Sequence, residues 1–217
     1  MIGLLRARCE HLEEPHLNSE PVLVRGFQLP ASFLAVLQVA NGFILKRKLF
    51  RFFGIDPELP ALDLCLWNRS PWVTEYGDLV ANLVFIAEDI FGDQYGLRFA
   101  HENDRYPELV KFWCEGGQTE VVAVESLHSW LNSFVLDERP RAFDDELASA
   151  ALGRGLSPSE VEHLSFSLPL VVGGATDVQN LEVMERGFHL HLLGQLSQRN
   201  RGLPEGAAIR RFRSNEK

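Results

Sequence analysis

The sequence predicts an α+β fold, because a helix passes directly into a strand and several short strands follow along the chain. Residues 30–40 place apolar side chains on one broad helix face: Phe33, Leu34, Val36, Leu37 and Ala40. Pro30 suits the first helical turn, and Asn41-Gly42 ends the helix, since glycine adopts positive φ at little cost. Residues 43–53 then show a strand-like pattern with Leu45, Leu49 and aromatic side chains.

The other elements of the first 140 residues follow from local patterns. Helical spacing over 2–13 ends at Pro15, and Val22-Leu23-Val24 indicates a short strand. Prolines in the segment 54–83 predict that it lacks long regular helices or strands. Apolar runs or alternation predict four more strands, at 84–87, 95–99, 110–114 and 121–124. The turn chemistry of 88–93 predicts a hairpin between the first two. Ser126 is a suitable cap for a helix carrying Leu127, Trp130, Leu131 and Phe134.

The C-terminal part is predicted to be a helical extension. Arg139-Pro140-Arg141 suggests a boundary, so we expect one domain over 1–140 and an extension over 141–217 packed on it. Ser157-Pro158-Ser159-Glu160 has the composition of a helix start, and 168–172 indicates a short strand. A final helix, capped by Asp177 or Asn180, is predicted from a stripe of spaced apolar residues: Leu181, Met184, Phe188, Leu192 and Leu196.

Charge and composition narrow the functional classes. The net charge of −9 argues against nucleic acid as a direct partner and favours a basic protein or simply solubility. Residues 52–140 contain 16 acidic and 5 basic side chains, whereas 199–217 are basic. The three cysteines form no CxxC pair or disulfide framework, which predicts a reducing cytoplasm. We expect no signal peptide and no membrane span.

The acidic turn is the first candidate site. Glu88, Asp89 and Asp93 are three carboxylates within six residues, which suggests either a divalent cation or an exposed, solvated turn. The spacing departs from an EF-hand loop, so the solvated turn is favoured. We expect these three side chains to form part of a protein-contact surface and predict no metal and no cofactor.

Tryptophans are the second set of candidates, because aromatic side chains beside acids make good interface anchors, although most tryptophans are core residues. Trp72 and Trp113 are the interface candidates. If Phe112 and Cys114 face inward, then Trp113 faces outward, since successive strand side chains alternate.

Catalytic patterns are weak throughout the chain. His189 and His191 would point to nearly opposite sides of a helix, which favours two ordinary histidines over a zinc site. Residues 172–177 lack the pattern of a phosphate-binding loop, and Ser126 with His128 lies in no nucleophile elbow. We therefore expect a protein that is not an enzyme, although distant residues could still assemble a catalytic pair.

Several of these features occur in an order that resembles the SUKH superfamily. The resemblance covers roughly residues 25–136 and includes the helix ending at Asn41-Gly42, the hairpin around 84–97, two more strands over 110–124 and the helix with Trp130-Leu131. The segment 168–196 is similar to the closing part of certain type VI secretion immunity proteins.

The resemblance implies a mixed or mainly antiparallel sheet flanked by helices, and a bacterial protein without catalysis. It implies an immunity protein that binds a cognate toxin and occludes it. From charge and hydropathy we expect no direct contact with nucleic acid or membrane. Two alternatives stay open at this point. One is a regulatory or scaffold domain of the same fold that binds a host protein, and the other is a small metal-dependent hydrolase.

Overall fold

A computed structural model describes residues 2–16, 20–122, 126–136 and 145–201. It confirms the α+β class. The helices are α1 (Ile2–Arg8), α2 (Ala31–Leu37), α3 (Leu64–Asn68), α4 (Pro71–Tyr76), α5 (Leu127–Leu136), α6 (Asp145–Gly153) and α7 (Arg186–Asn200). The strands are β1 (Cys9–Leu12), β2 (Leu23–Val24), β3 (Phe27–Gln28), β4 (Phe43–Leu45), β5 (Phe50–Phe52), β6 (Leu83–Asp89), β7 (Gln94–Arg98), β8 (Glu108–Trp113), β9 (Gln118–Val121), β10 (Glu162–Phe166) and β11 (Leu181–Glu185).

Seven of the described strands form one antiparallel sheet in the order β1-β4-β5-β6-β7-β8-β9. From β4 to β9 the spatial order follows the chain, because short connections place consecutive antiparallel strands side by side. The strand β1 lies at one edge and β9 at the other. Two small hairpins, β2-β3 and β10-β11, lie outside this sheet.

The helix α2 is confirmed but ends at Leu37, earlier than the predicted end at Asn41-Gly42. Gly42 has a φ of +105°, and the Asn41 side chain both accepts from the Ile55 amide and donates to the Ile55 carbonyl. The prediction of one strand over 43–53 is wrong in detail. A 3₁₀ turn over Lys46–Lys48 divides this segment into β4 and β5, with positive φ at Arg47 and Lys48.

Helices cover both faces of the sheet, and each face has its own apolar cluster. One cluster joins α2 and α5 to side chains such as Tyr95 and Leu97. The other joins α4 and α7 to Phe85 and Phe112. Alternation along β6 directs successive side chains into opposite clusters, which explains why both faces of this strand are apolar.

The C-terminal part differs most from the sequence-based expectation. The helix predicted from 157–160 is wrong, because the helix here is α6 and the chain then forms β10. The predicted strand at 168–172 is instead a 3₁₀ turn over Leu170–Val172. Residues 181–185 are a strand because they pair with β10, so the last helix begins only at Arg186. Phe188, predicted to lie on the buried stripe, is exposed.

Candidate functional site

The three acids of the β6-β7 turn are buried, so the predicted solvated turn is wrong. Glu88 and Asp89 have no exposed surface, and Asp93 is 8% exposed. The strand β10 crosses the turn, where the Leu164 amide donates to the Ile90 carbonyl at 2.8 Å. The turn is therefore covered by a segment that begins about 70 residues later in the chain.

Three basic side chains from different parts of the chain surround Glu88, and Gln94 donates to its Oε2 at 3.2 Å. Its Oε1 lies 2.8 Å from Nε of Arg186 and 3.4 Å from a guanidinium nitrogen of Arg51, and its Oε2 lies 3.2 Å from Nε2 of His163. Burial opposes ionisation of Glu88, but Arg186, His163 and Arg51 outweigh burial and hold its pKa well below the usual range.

Both arginines are held by backbone carbonyls as well as by Glu88. Arg51 donates to the carbonyls of Ser159 and Glu162, at 2.9 Å and 2.8 Å. Arg186 donates to the carbonyls of Ala61 and Glu160. These bonds position the two guanidinium groups, so the cluster connects the central sheet to the C-terminal part.

Asp89 and Asp93 share one cation. Lys111 Nζ lies 3.2 Å from Oδ2 of Asp89 and 3.0 Å from Oδ2 of Asp93. Burial, together with repulsion from Asp93, raises the pKa of Asp89 to about 7 despite Lys111, since one ammonium compensates two carboxylates. Although burial disfavours the ammonium form, the two acids raise the pKa of Lys111. These two acids thus pair with a lysine inside the protein, so they do not lie on the predicted contact surface.

A pair of buried histidines extends the Glu88 cluster. Nδ1 of His163 lies 3.2 Å from Nδ1 of His189. Burial lowers the pKa of both imidazoles, and the neighbouring His163 helps to lower the pKa of His189 to about 3. The imidazole of His189 is therefore neutral at physiological pH.

The second nitrogen of each ring is buried as well. Nε2 of His163 lies 3.2 Å from Oε2 of Glu88 without hydrogen-bond geometry, and Nε2 of His189 likewise has no hydrogen-bond partner within the described residues.

His189 lines a cavity of about 230 Å³ at the end of this cluster. Its wall is mostly apolar, with Phe91, Trp113, Phe166, Leu147 and Leu170. Its polar members are Asp93, Lys111, Cys114, Glu115, Thr176 and His189. Burial raises the pKa of the Glu115 carboxyl to about 7. The cavity thus joins aromatic walls to a few buried polar groups, as small-molecule sites do.

The two tryptophan candidates have different positions. Trp72 is buried, where its ring lies 5.3 Å from that of Trp67 and 5.2 Å from that of Phe85, so it is a core residue and its assignment as an interface candidate is corrected. Trp113 is 40% exposed while Phe112 and Cys114 are buried, which agrees with the predicted alternation. Lys111 Nζ lies 3.8 Å from the centre of the Trp113 ring.

The residues that sequence reasoning missed are Arg51, His163 and Arg186, together with the role of His189. A signal was present for Arg51, because it interrupts the apolar run Leu49-Phe50-Arg51-Phe52-Phe53. Charges inside such runs are almost never fully buried unless they are paired. Within the described residues, no group of three or more His, Cys, Asp or Glu side chains is arranged to hold a metal ion.

Comparison with known proteins adds information on the fold. No protein-family model matches the chain, and no curated protein is significantly similar to it. The crystal structure of Atu4351 from Agrobacterium tumefaciens is similar, with a TM-score of 0.53 over 89% of this chain and 87% of that chain. The sequence identity is 14%, so the two chains share a fold and the likeness extends no further. Every helix in the described ranges is too short or too polar to cross a membrane.

Proposed function

We propose that this protein is a non-enzymatic binding module of the immunity type, which acts in the cytoplasm and neutralises a toxin by covering it. The observation that supports this proposal best is the open edge of the sheet at β9. All four of its residues are exposed, and no described strand pairs with its outer side. An exposed edge strand is a template for another polypeptide, which can add to the sheet by backbone hydrogen bonds.

The ladder identifies the backbone groups that are available at this edge. The Val122 amide donates to the Leu109 carbonyl, so these two residues form a hydrogen-bonded pair. Antiparallel pairs alternate, and Val121 opposite Val110 and Thr119 opposite Phe112 are therefore non-hydrogen-bonded pairs. The N–H and C=O groups of Thr119 and Val121 point outward, where a partner strand would bind.

The surroundings of β9 suit a protein partner with basic side chains. Val121 and Trp113 are exposed hydrophobic residues beside the edge, and Tyr106 is 90% exposed in the loop before β8. Glu120 is exposed on the strand itself, and Glu102 is exposed in that loop. With a net charge of −9, these acids favour rapid association with a basic protein.

Proline scanning at the edge tests the proposal. Thr119→Pro removes an outward donor and leaves the ladder bonds to β8 intact, while Thr119→Val keeps the donor and is the matched control. The partner to test is the protein encoded next to this gene, purified and also expressed as a toxin. We expect Thr119→Pro to weaken its binding at least about tenfold and to abolish protection from toxicity, with Thr119→Val close to wild type.

The alternatives give different results in the same assay. A scaffold or regulatory domain would bind a cellular protein and give no protection from the neighbouring gene product. A metal-dependent hydrolase would gain activity with a divalent cation. Equal binding by Thr119→Pro and Thr119→Val would contradict the role of the β9 edge.

A further inference from the structure

The strand β9 carries one acidic side chain between its two outward-facing residues. Glu120 is exposed, lies opposite Lys111 of β8 and separates Thr119 from Val121. A strand that pairs antiparallel with Thr119 and Val121 therefore places one of its own residues directly opposite Glu120, at a non-hydrogen-bonded position. Side chains approach most closely at such positions, because the two Cα atoms are only about 4.5 Å apart. The charge of that residue thus decides whether the contact with Glu120 is favourable.

The neighbour of Glu120 on β8 does not compensate its charge. Lys111 Nζ lies 3.2 Å from Oδ2 of Asp89 and 3.0 Å from Oδ2 of Asp93. This buried group of one ammonium and two acids has no positive charge in excess. A cation on an added strand would therefore be attracted by the carboxylate of Glu120.

A second copy of this chain would place a like charge at the same position. The antiparallel register that uses both outward residues of both copies pairs Thr119 of each copy with Val121 of the other. The twofold axis then passes between the two Glu120 residues, which lie directly opposite each other. Like charges in this arrangement destabilise strand pairing. Charged side chains on edge strands are a common means of preventing such self-pairing.

We propose that Glu120 determines which strand the β9 edge accepts: it rejects a second copy of this chain and selects a strand with a lysine or arginine opposite it. This inference rests on the proposed role of the β9 edge in binding a protein. An opposite charge at this position stabilises the pairing, and a like charge destabilises it by a similar amount. The net charge of −9 acts in the same direction, because it attracts basic segments and repels a second copy.

Sedimentation velocity of wild type, Glu120→Lys and an equimolar mixture tests this selection with the full chain alone. We expect each protein by itself to stay monomeric, because like charges then face each other across the axis. The mixture should form a heterodimer, because a glutamate then faces a lysine. Its association constant should exceed that of either protein alone by about tenfold. Raising the salt concentration should weaken the heterodimer, since the charge pair is exposed.

Substitutions at Thr119 establish whether the heterodimer uses the β9 edge. Thr119→Pro in the Glu120→Lys chain should abolish the heterodimer, because it removes an outward donor, and Thr119→Val should retain it. Absence of a heterodimer would overturn the proposal. Equal association of the mixture and of the separate proteins would do the same, as would a heterodimer that survives Thr119→Pro.

This measurement fails independently of the toxin assay. If Thr119→Pro weakens binding of the neighbouring gene product while the mixture stays monomeric, the edge binds its partner without selection by Glu120. The inference then fails and the proposed function stands. If the heterodimer forms but the neighbouring gene product does not bind, the proposed function fails and the selection by Glu120 stands.

Discussion

The acidic residues of two hairpins of the same sheet have opposite environments. Glu88, Asp89 and Asp93 are buried and paired with cations, whereas Glu120 on β9 is exposed. The difference arises because β10 and α7 cover the β6-β7 turn, while no described element covers the outer side of β9. Whether the acidic residues of a turn are buried or exposed thus depends on which later parts of the chain pack over them.

Glu88→Gln should have the largest effect. It leaves Arg51 and Arg186 as buried cations without a counter-ion, and breaking a buried ion pair in this way costs about 3–5 kcal/mol. Chemical unfolding of the two proteins measures the loss. Glu120→Gln is the matched control and should change the free energy of unfolding by about 0.5 kcal/mol or less. Equal small effects of both substitutions would contradict the assigned charge cluster.

Lys111→Met should have the next largest effect, and the loss should depend on pH. At pH 8 it removes the cation that Asp89 and Asp93 share, and leaving this buried acidic pair uncompensated costs about 2–4 kcal/mol. Because burial raises the pKa of Asp89 to about 7, the folded protein protonates this carboxyl readily at pH 5, and the loss should be smaller there. Urea unfolding at the two pH values checks this, and a loss that is larger at pH 5 would refute it.

Glu115→Gln should have the smallest effect, and it should stabilise the protein. Burial raises the pKa of Glu115 from 4.5 to about 7, so the folded state holds this proton more tightly than the unfolded state. The stabilisation from the retained proton is fully present below about pH 4.5 and is lost as pH rises through about 7.

Glutamine cannot ionise, so the variant avoids that loss. The quantity to compare is the free energy of unfolding of Glu115→Gln minus that of wild type. We expect this difference to be about 1–2 kcal/mol larger at pH 8 than at pH 4. Thermal unfolding across this pH range provides the measurement, with Glu120→Gln as a control that should show no such trend. A difference independent of pH would show that the Glu115 carboxyl does not titrate as assigned.

The sequence predicts the structure correctly where the interactions that determine it are local. The turn between α2 and β4 contains the predicted glycine with positive φ, Gly42, and the outward position of Trp113 depends on alternation within a single strand. The prediction of the candidate site fails where interacting residues are distant in sequence, because nothing near Glu88 in sequence indicates that Arg186 will neutralise it. The C-terminal hairpin is missed for a related reason. The spacing of Leu181, Met184 and Phe188 fits a helix, but pairing with β10 overrides it.

The partners of Glu88 also impose an order on events during synthesis. Arg51 precedes this acid along the chain, while His163 and Arg186 leave the ribosome much later. The central hairpin therefore emerges before two of the three basic groups that lie around Glu88. Contacts of such long sequence separation form slowly, so we expect the nascent chain to remain loosely structured at this point until α7 is available. A product terminated before α7 should accordingly be a target for chaperones and proteases.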